Sequence, residues 1–109
     1  MMCGLQERDM KLIREAISQF NNIDCAIIFG SRALGNYKKG SDVDLALKGD
    51  FVSDETILKL NNLLNEIYPL PYYFDILHYE GVRNEQLKTH IDRYGIPVWE
   101  VDGKKSNTN

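Results

Sequence analysis

One stretch, residues 27–47 with the sequence IIFGSRALGNYKKGSDVDLAL, constrains the fold more than any other part of this chain. An apolar run stops at Gly30-Ser31, a loop follows, and a second apolar run begins with Asp42 and Asp44 in it. Acidic residues are depleted from strands and costly to bury, so a pair at alternate strand positions requires a reason. Both side chains would point to the same side, with Cα atoms about 6.6 Å apart, which suits two carboxylates that share a divalent metal ion.

Helical and strand periodicity divides the rest of the chain into short elements. We predict helices at residues 6–20, 53–68 and 85–94, a helical turn at 31–34, and strands at 25–29, 42–48, 72–79 and 96–101. Ser53 and Asn84 are suitable N-caps for the second and third helices. Pro97 makes the last strand an edge strand, because proline cannot donate a hydrogen bond to a central ladder.

The connection between the first two strands is too short for a comfortable parallel crossover, so we expect these strands to be antiparallel. That pairing brings Gly30-Ser31, at the exit of one strand, beside the entrance of the next strand at Asp42 and Asp44. The predicted fold is a small α/β (α+β) fold with a mixed, partly antiparallel sheet and helices packed on it. We expect residues 1–101 to form a single domain and residues 102–109 to be a disordered tail.

Composition narrows the class of protein. The chain has 109 residues, of which 43% are hydrophobic and 27% charged, typical of a globular domain. It has no apolar run of the roughly 18 residues that span a membrane, and its N-terminus lacks the pattern of a signal peptide, so we expect a cytoplasmic protein. A net charge of −3 argues against direct nucleic-acid binding. With two cysteines, two distant histidines and no CxxC, a zinc site is not expected.

The acidic residues predict a site for hard metal ions. Mg²⁺ prefers one or two carboxylates and completes its shell with water and phosphate oxygens. Two ions about 3.5–4 Å apart clamp the attacking and leaving oxygens of an in-line phosphoryl displacement. Asp75, in an otherwise apolar strand, is the candidate for a third carboxylate, and we expect it to be buried. It would act as a second-metal ligand or as the base for an attacking hydroxyl.

Gly30 and Ser31 predict the other half of the site. Glycine allows close backbone approach to a ligand, and the amides that open the following turn can bind a phosphate together with the Ser31 hydroxyl. Arg32, Lys38 and Lys39 could offset the remaining charge. Each of these signals alone usually has a structural explanation, and their combination is what carries the prediction. A Walker loop and an EF-hand are both excluded by missing residues.

Other polar and aromatic residues carry weaker predictions. His78 is interpreted as a packing or surface residue, and His90, on a charged helix, as solvated. The aromatic residues are interpreted as core or edge cover, with an exposed subset marking a partner interface as the alternative. These aromatic residues are Tyr68, Tyr72, Tyr73, Phe74 and Trp99.

The motif FGSRALGNYKKGSDVDLAL resembles the signature of the DNA-polymerase-beta-like nucleotidyltransferase superfamily, with Asp75 in YYFDIL matching its third carboxylate. The chain length resembles its smallest branch, the minimal nucleotidyltransferases (MNT). The resemblance implies the polymerase-beta palm-like fold and a metal and catalytic set of Asp42, Asp44 and Asp75, binding two Mg²⁺ ions. It implies that Gly30 and Ser31 bind the phosphates of the nucleotide, with Arg32 and Ser41 as further candidates.

The resemblance also implies a reaction and a partner. Family members transfer a nucleoside monophosphate from an NTP to a hydroxyl and release pyrophosphate. Minimal members are commonly paired with a HEPN-domain protein, and in some toxin–antitoxin pairs they attach AMP from ATP to a tyrosine of the toxin. Since this chain has no second domain to hold an acceptor, we expect another protein to present it, in a homo- or hetero-oligomer. The alternatives are a non-catalytic antitoxin that neutralises its partner by occlusion and, less favoured, transfer to a small molecule.

Overall fold

A computed structural model of the chain describes residues 3–101, and the predicted tail at 102–109 lies outside them. The α-helices are α1 (Glu7–Ser18), α2 (Ser31–Leu34), α3 (Asp54–Asn62) and α4 (Glu85–Tyr94). The strands are β1 (Cys25–Phe29), β2 (Val43–Lys48), β3 (Phe74–His78) and β4 (Ile96–Glu100). No helix within residues 3–101 combines the length and apolar character needed to span a membrane. The predicted α+β class is confirmed.

The four strands of residues 3–101 form one mixed sheet in the order β3-β2-β1-β4. β1 is antiparallel to β2, as the short connection predicts, and it is also antiparallel to the edge strand β4. β2 and β3 run parallel, which the long connection through α3 permits. In the β1–β2 register Phe29 lies opposite Asp44, so the end of β1 meets the start of β2.

The sheet has two unequal faces, because successive side chains of a strand point to opposite sides. Val43, Leu45 and Leu47 of β2 enter the larger core, which α1 and α3 cover. On the other face Ala46 packs with Ile91 of α4 in a smaller cluster that also contains Ile27 and Phe29. Asp44 shares this second face with Ala46, so the alternation of β2 places an acidic residue on the thinly covered side of the sheet.

The predicted capping residues begin α3 and α4, but two helices end earlier than predicted. The Ser53 hydroxyl accepts from the Thr56 amide in a capping box that begins α3, and Asn84 caps α4 by accepting from the Leu87 amide, as predicted. α1 is shorter than predicted and ends at Ser18. The single helix predicted to run to residue 68 is wrong in its second half, since α3 ends at Asn62 and a π-helical turn, Leu63–Ile67, follows.

The strands also differ from prediction at their ends. β2 begins at Val43, so Asp42 lies just before the strand and not within it. β3 is shorter than the predicted 72–79, because a 3₁₀ turn, Tyr79–Gly81, takes over after His78. β4 lies at the edge of the sheet, as Pro97 predicts, and a register shift interrupts its pairing with β1 between Ala26 and Ile27.

Asn65, in the π-helical turn, ties this turn to the first residue of β3. Its side-chain amide donates to the Phe74 carbonyl at 3.0 Å, and its carbonyl oxygen accepts from the Phe74 amide at 2.8 Å. Phe74 is fully buried. A side chain therefore satisfies both backbone groups of a buried residue on an edge strand, where no further strand could do so.

Asn65→Ala should lower the free energy of unfolding by about 1–3 kcal/mol, because it leaves both backbone groups of Phe74 without their partner. Urea denaturation followed by circular dichroism measures the difference. Asn62→Ala, at an exposed position of the preceding helix, is the matched control and should change stability by less than about 0.5 kcal/mol. Equal effects of the two substitutions would contradict the proposed role of Asn65.

Candidate active site

Gly30 forms the turn between β1 and α2 in a backbone conformation that favours glycine. Its φ is +75° and its ψ is −152°, a combination that a residue with a Cβ rarely adopts. A Cβ built on Gly30 would overlap the Oδ2 atom of Asp44. The backbone of the turn and the carboxylate of Asp44 are therefore in direct proximity, and a larger residue at position 30 would have to displace that carboxylate.

Asp44 lies at the centre of the acidic cluster, which we define as Asp42, Asp44 and Asp75. In the register of the sheet Asp44 is opposite Phe29 on one side and beside Asp75 on the other. Asp42 precedes it by two residues. Partial burial raises the pKa of Asp44, and the negative charges of Asp75 and then Asp42 raise it further. Asp44 is thus close enough to both other carboxylates to be repelled by them.

Asp75 is exposed, and the expectation that it is buried is wrong. The reason is topological: β3 is an edge strand of the sheet, and Asp75 lies on the face that only α4 partly covers. Its parallel pairing with β2 still brings it beside Asp44. The apolar sequence of β3 indicates a largely buried strand. It does not show that Asp75 lies on the more open face of the sheet.

The acidic cluster offers oxygen ligands without a complete metal shell. Among residues 3–101, no group of three or more His, Cys, Asp and Glu side chains is arranged to hold a metal ion. Carboxylate oxygens are nevertheless the ligands that Mg²⁺ prefers, and Mg²⁺ usually takes one or two of them together with water and substrate phosphate. The donor set at Asp42 and Asp44 fits a cation of this kind whose remaining ligands come from outside the protein.

Ser31 begins the short helix α2 immediately after Gly30 and is half-buried. Its carbonyl accepts from the Gly35 and Asn36 amides, which closes the turn of α2. The first amides of a helix have no acceptor within the helix itself. The hydroxyl and amide of Ser31 therefore lie at the start of a helical turn next to the acidic cluster.

Arg32 is buried, with 3% of its surface exposed. Its Nε and Nη2 donate to the Ser41 carbonyl at 3.2 and 2.8 Å, and its Nη1 donates to the Cys3 carbonyl at 2.9 Å. The guanidinium also contacts the rings of Tyr37 and Tyr72 at about 5 Å. These contacts give Arg32 a structural role, which differs from its interpretation as a nucleotide-binding residue.

Ser41 takes part in the same loop structure. Its carbonyl accepts from Arg32, and its hydroxyl accepts from the Lys38 amide at 2.8 Å. Lys38 and Lys39 are exposed on the loop. Because Ser41 directly precedes Asp42, the contacts of its carbonyl and hydroxyl hold the backbone from which Asp42 projects.

His90 is a site residue that the sequence reasoning missed, and its interpretation as a solvated residue is wrong. It is half-buried on α4, and its Nε2 accepts a hydrogen bond from the Gly30 amide at 2.8 Å. Its ring contacts those of Phe29 and Tyr94. A signal was present in the sequence, since Leu87, His90 and Ile91 follow helical spacing, and Leu87 and Ile91 pack in the smaller cluster against the sheet.

Comparisons with known proteins identify the fold and the family. The family model described as Polymerase beta, Nucleotidyltransferase matches residues 11–104. No curated protein matches the chain.

Solved structures of similar fold include the following three. A toxin–antitoxin with AMP-PNP has a TM-score of 0.66 at 20% identity, with 94% of this chain and 80% of that chain covered. The toxin–antitoxin MntA-HepT has a TM-score of 0.66 at 15% identity, with 94% and 79% covered. A tri-AMPylated HEPN toxin of Shewanella oneidensis in complex with MNT antitoxin gives 0.67 at 15% identity, again with 94% and 79% covered.

These likenesses confirm the predicted nucleotidyltransferase fold. The matched range of the family model also includes the Gly30 turn and the whole acidic cluster, and it extends over most of the sequence. The chain therefore belongs to the polymerase beta nucleotidyltransferase family.

Proposed function

We propose that this protein is an Mg²⁺-dependent nucleotidyltransferase that transfers AMP from ATP to a hydroxyl of a partner protein. The observation that carries the proposal is the packing of the Gly30 turn against Asp44 at the centre of three neighbouring carboxylates. A phosphate-binding turn beside a concentration of negative charge makes chemical sense when cations lie between the two. Membership of the nucleotidyltransferase family supports the same reaction class.

The carboxylates have distinct roles in this proposal. Asp42 and Asp44 would hold Mg²⁺, and repulsion within the acidic cluster, which raises the pKa of Asp44, favours binding of a cation there. When bound, the metal would stabilise the charge that develops on the phosphoryl oxygens. Exposed Asp75 would complete the site as a second-metal ligand or accept the proton of the attacking hydroxyl.

The Gly30 turn would bind the nucleotide. The Ser31 hydroxyl and the first amides of α2 would donate to phosphate oxygens, since amides at a helical turn favour anions. The acceptor oxygen would then form a bond to the α-phosphorus, and the bond from that phosphorus to the β-phosphate oxygen would break. Pyrophosphate leaves, and the hydroxyl proton goes to the base. We assign Arg32 and Ser41 to the loop structure and not to nucleotide contact.

The partner is proposed to be a HEPN-domain toxin, with this chain as its antitoxin. Support comes from the solved structures of similar fold, which include an MNT antitoxin in complex with a tri-AMPylated HEPN toxin and a toxin–antitoxin with AMP-PNP. We further propose a single catalytic domain over residues 1–101 that works in the cytoplasm, with the partner presenting the acceptor. An antitoxin that acts by occlusion alone is the competing function, and the last prediction below separates the two.

Removal of one carboxylate should weaken metal binding. Asp42→Asn and Asp44→Asn should each lower the affinity for Mn²⁺, in the presence of a non-hydrolysable ATP analogue, on the order of tenfold or more, equivalent to about 1.4 kcal/mol. Calorimetric titration measures this affinity, and Asp50→Asn, an exposed aspartate outside the cluster, should leave it unchanged. Equal affinities for all three variants and the wild type would contradict the metal site.

The raised pKa of Asp44 also predicts how this substitution changes protein stability and how metal affinity depends on pH. The pKa of Asp44 in the folded state lies above its ordinary value of 3.8, so the ionised carboxylate destabilises the fold. This destabilisation is fully present at pH values above the folded-state pKa. It disappears at pH values below the unfolded-state pKa, where Asp44 is protonated in both states. Asp44→Asn should therefore be at least as stable as the wild type at neutral pH. Wild-type metal affinity should decline on acidification from a higher pH than an ordinary aspartate would cause.

Gly30 and Gly35 offer a matched pair for testing the turn. Both have positive φ, +75° and +86°, so alanine is strained at either position, but only the Cβ at Gly30 meets Asp44, while the space around Gly35 is open. Gly30→Ala should weaken ATP binding on the order of tenfold or more, and Gly35→Ala should leave it within about twofold at comparable stability. Fluorescence titration with a labelled ATP analogue measures both. Similar losses in the two variants would assign the effect to backbone strain alone.

The enzyme and the occlusion hypotheses differ in one measurable product. Wild-type protein incubated with a purified HEPN partner, ATP and Mg²⁺ should add the mass of one or more AMP groups to that partner, as intact-protein mass spectrometry would detect. The double variant Asp42→Asn/Asp44→Asn should still bind the partner, yet transfer should slow by on the order of a hundredfold or more, because the metal supplies several kcal/mol at about 1.4 kcal/mol per decade of rate. Full neutralisation of the toxin by this variant, with no nucleotide transfer by the wild type, would favour occlusion.

A further inference from the structure

His90 makes a contact with the Gly30 turn that no part of the proposed reaction uses. The two residues are 60 positions apart in sequence, and the Gly30 amide donates to the His90 Nε2 at 2.8 Å. The imidazole ring lies edge-on to Phe29, with a centroid distance of 6.2 Å, and 5.6 Å from the ring of Tyr94. Helix α4 thus contacts the turn through the Nε2 atom of His90. The rings of Phe29 and Tyr94 lie next to the imidazole ring of His90.

The direction of this hydrogen bond determines the chemical form of the imidazole. An amide can only donate, so Nε2 must carry a lone pair and the ring proton of neutral His90 must lie on Nδ1. In that form the imidazole is an acceptor for the turn and carries no charge. A protonated imidazole would instead present a donor to the Gly30 amide, and the bond would be lost.

The position of Gly30 makes this bond relevant to the site. The Gly30 peptide has a φ that few residues adopt, and its Cα lies against the Asp44 carboxylate. Glycine adopts this conformation readily but has many others available, so surrounding contacts determine which one it keeps. The Gly30 carbonyl accepts from the Ala33 and Leu34 amides at 3.1 Å, so the nitrogen bond to His90 and the carbonyl bonds of α2 together fix the residue on both sides.

We propose that His90 is a positioning residue, whose Nε2 holds the Gly30 peptide and thereby orients the Ser31 turn against the acidic cluster for nucleotide binding. The bond also occupies the Gly30 amide, so the phosphate donors of the turn begin at Ser31. The part of this inference that concerns nucleotide rests on the proposed function. The part that concerns the orientation of the turn stands on the contacts alone, and the two are tested separately.

The wild-type protein tests the hydrogen bond directly. In ¹⁵N-labelled protein at neutral pH, His90 should show a pyridine-like Nε2 and a protonated Nδ1, with a scalar coupling across the hydrogen bond to the Gly30 nitrogen. The opposite tautomer would overturn the proposal without any variant having to fold.

Four variants of α4 separate the acceptor atom from the ring. His90→Phe keeps an aromatic ring without an acceptor, His90→Gln supplies an amide oxygen at about the reach of Nε2, and His90→Asn supplies one that is too short. Thr89→Ala, at an exposed neighbouring position, is the helix control. Hydrogen exchange of the Gly30 amide should accelerate on the order of tenfold in the Phe and Asn variants, because the donor loses its partner, and remain near wild type in the other two.

Nucleotide affinity provides the functional readout on the same four proteins. Titration with ATP and Mg²⁺ should give about tenfold weaker binding for His90→Phe and His90→Asn, and His90→Gln should restore most of the affinity. If His90→Phe and His90→Asn exchange the Gly30 amide faster but bind ATP as tightly as the wild type, the positioning role is overturned. It is also overturned if His90→Gln loses as much ATP affinity as the other two variants. If wild-type protein binds no ATP, the proposed function fails, and the tautomer and exchange results decide the orientation of the turn by themselves.

Discussion

The structure depends on the close contact between Gly30 and Asp44. The carboxylate of Asp44 occupies the space where the Cβ of a larger residue at position 30 would lie. This contact and the positive φ of Gly30 favour glycine after β1, and the contact depends on the register in which Phe29 lies opposite Asp44. A slip by one residue would turn Asp44 into the main core and Val43 out of it, which the cost of burying a carboxylate opposes. Packing of the core and assembly of the site therefore demand the same strand pairing.

The two faces of β2 separate stability from chemistry. One face contributes Val43, Leu45 and Leu47 to the core, where each large apolar side chain contributes about 1.5–3 kcal/mol. The other face presents Asp44 to a region that α4 covers only in part, and the raised pKa of Asp44 shows that its charge is held at a cost. A fold with a large core on one side can tolerate mutually repelling carboxylates on the other.

Two contacts support the site from outside the acidic cluster. Arg32 and the Ser41 carbonyl hold the loop that leads into Asp42, and His90 holds the turn that leads into Ser31. Arg32 is buried among Cys3, Tyr37 and Tyr72, so this residue next to the Gly30 turn holds the loop and is not free to contact a ligand. Within the 27–47 motif, Ser31 and the aspartates are thus assigned to the proposed chemistry, while Arg32 and Ser41 hold the backbone of the loop.

The sequence by itself determined the order of the elements, the caps at Ser53 and Asn84, the antiparallel pairing of β1 with β2 and, through it, the proximity of Gly30 to Asp44. These features follow from spacing, since side-chain periodicity, capping geometry and loop length are local properties of the chain. Only the tertiary structure decided that Asp75 is exposed, that Arg32 is buried and that His90 reaches Gly30 across 60 residues. Those outcomes depend on which strand lies at the edge and which helix covers which face, and local spacing carries no information about either.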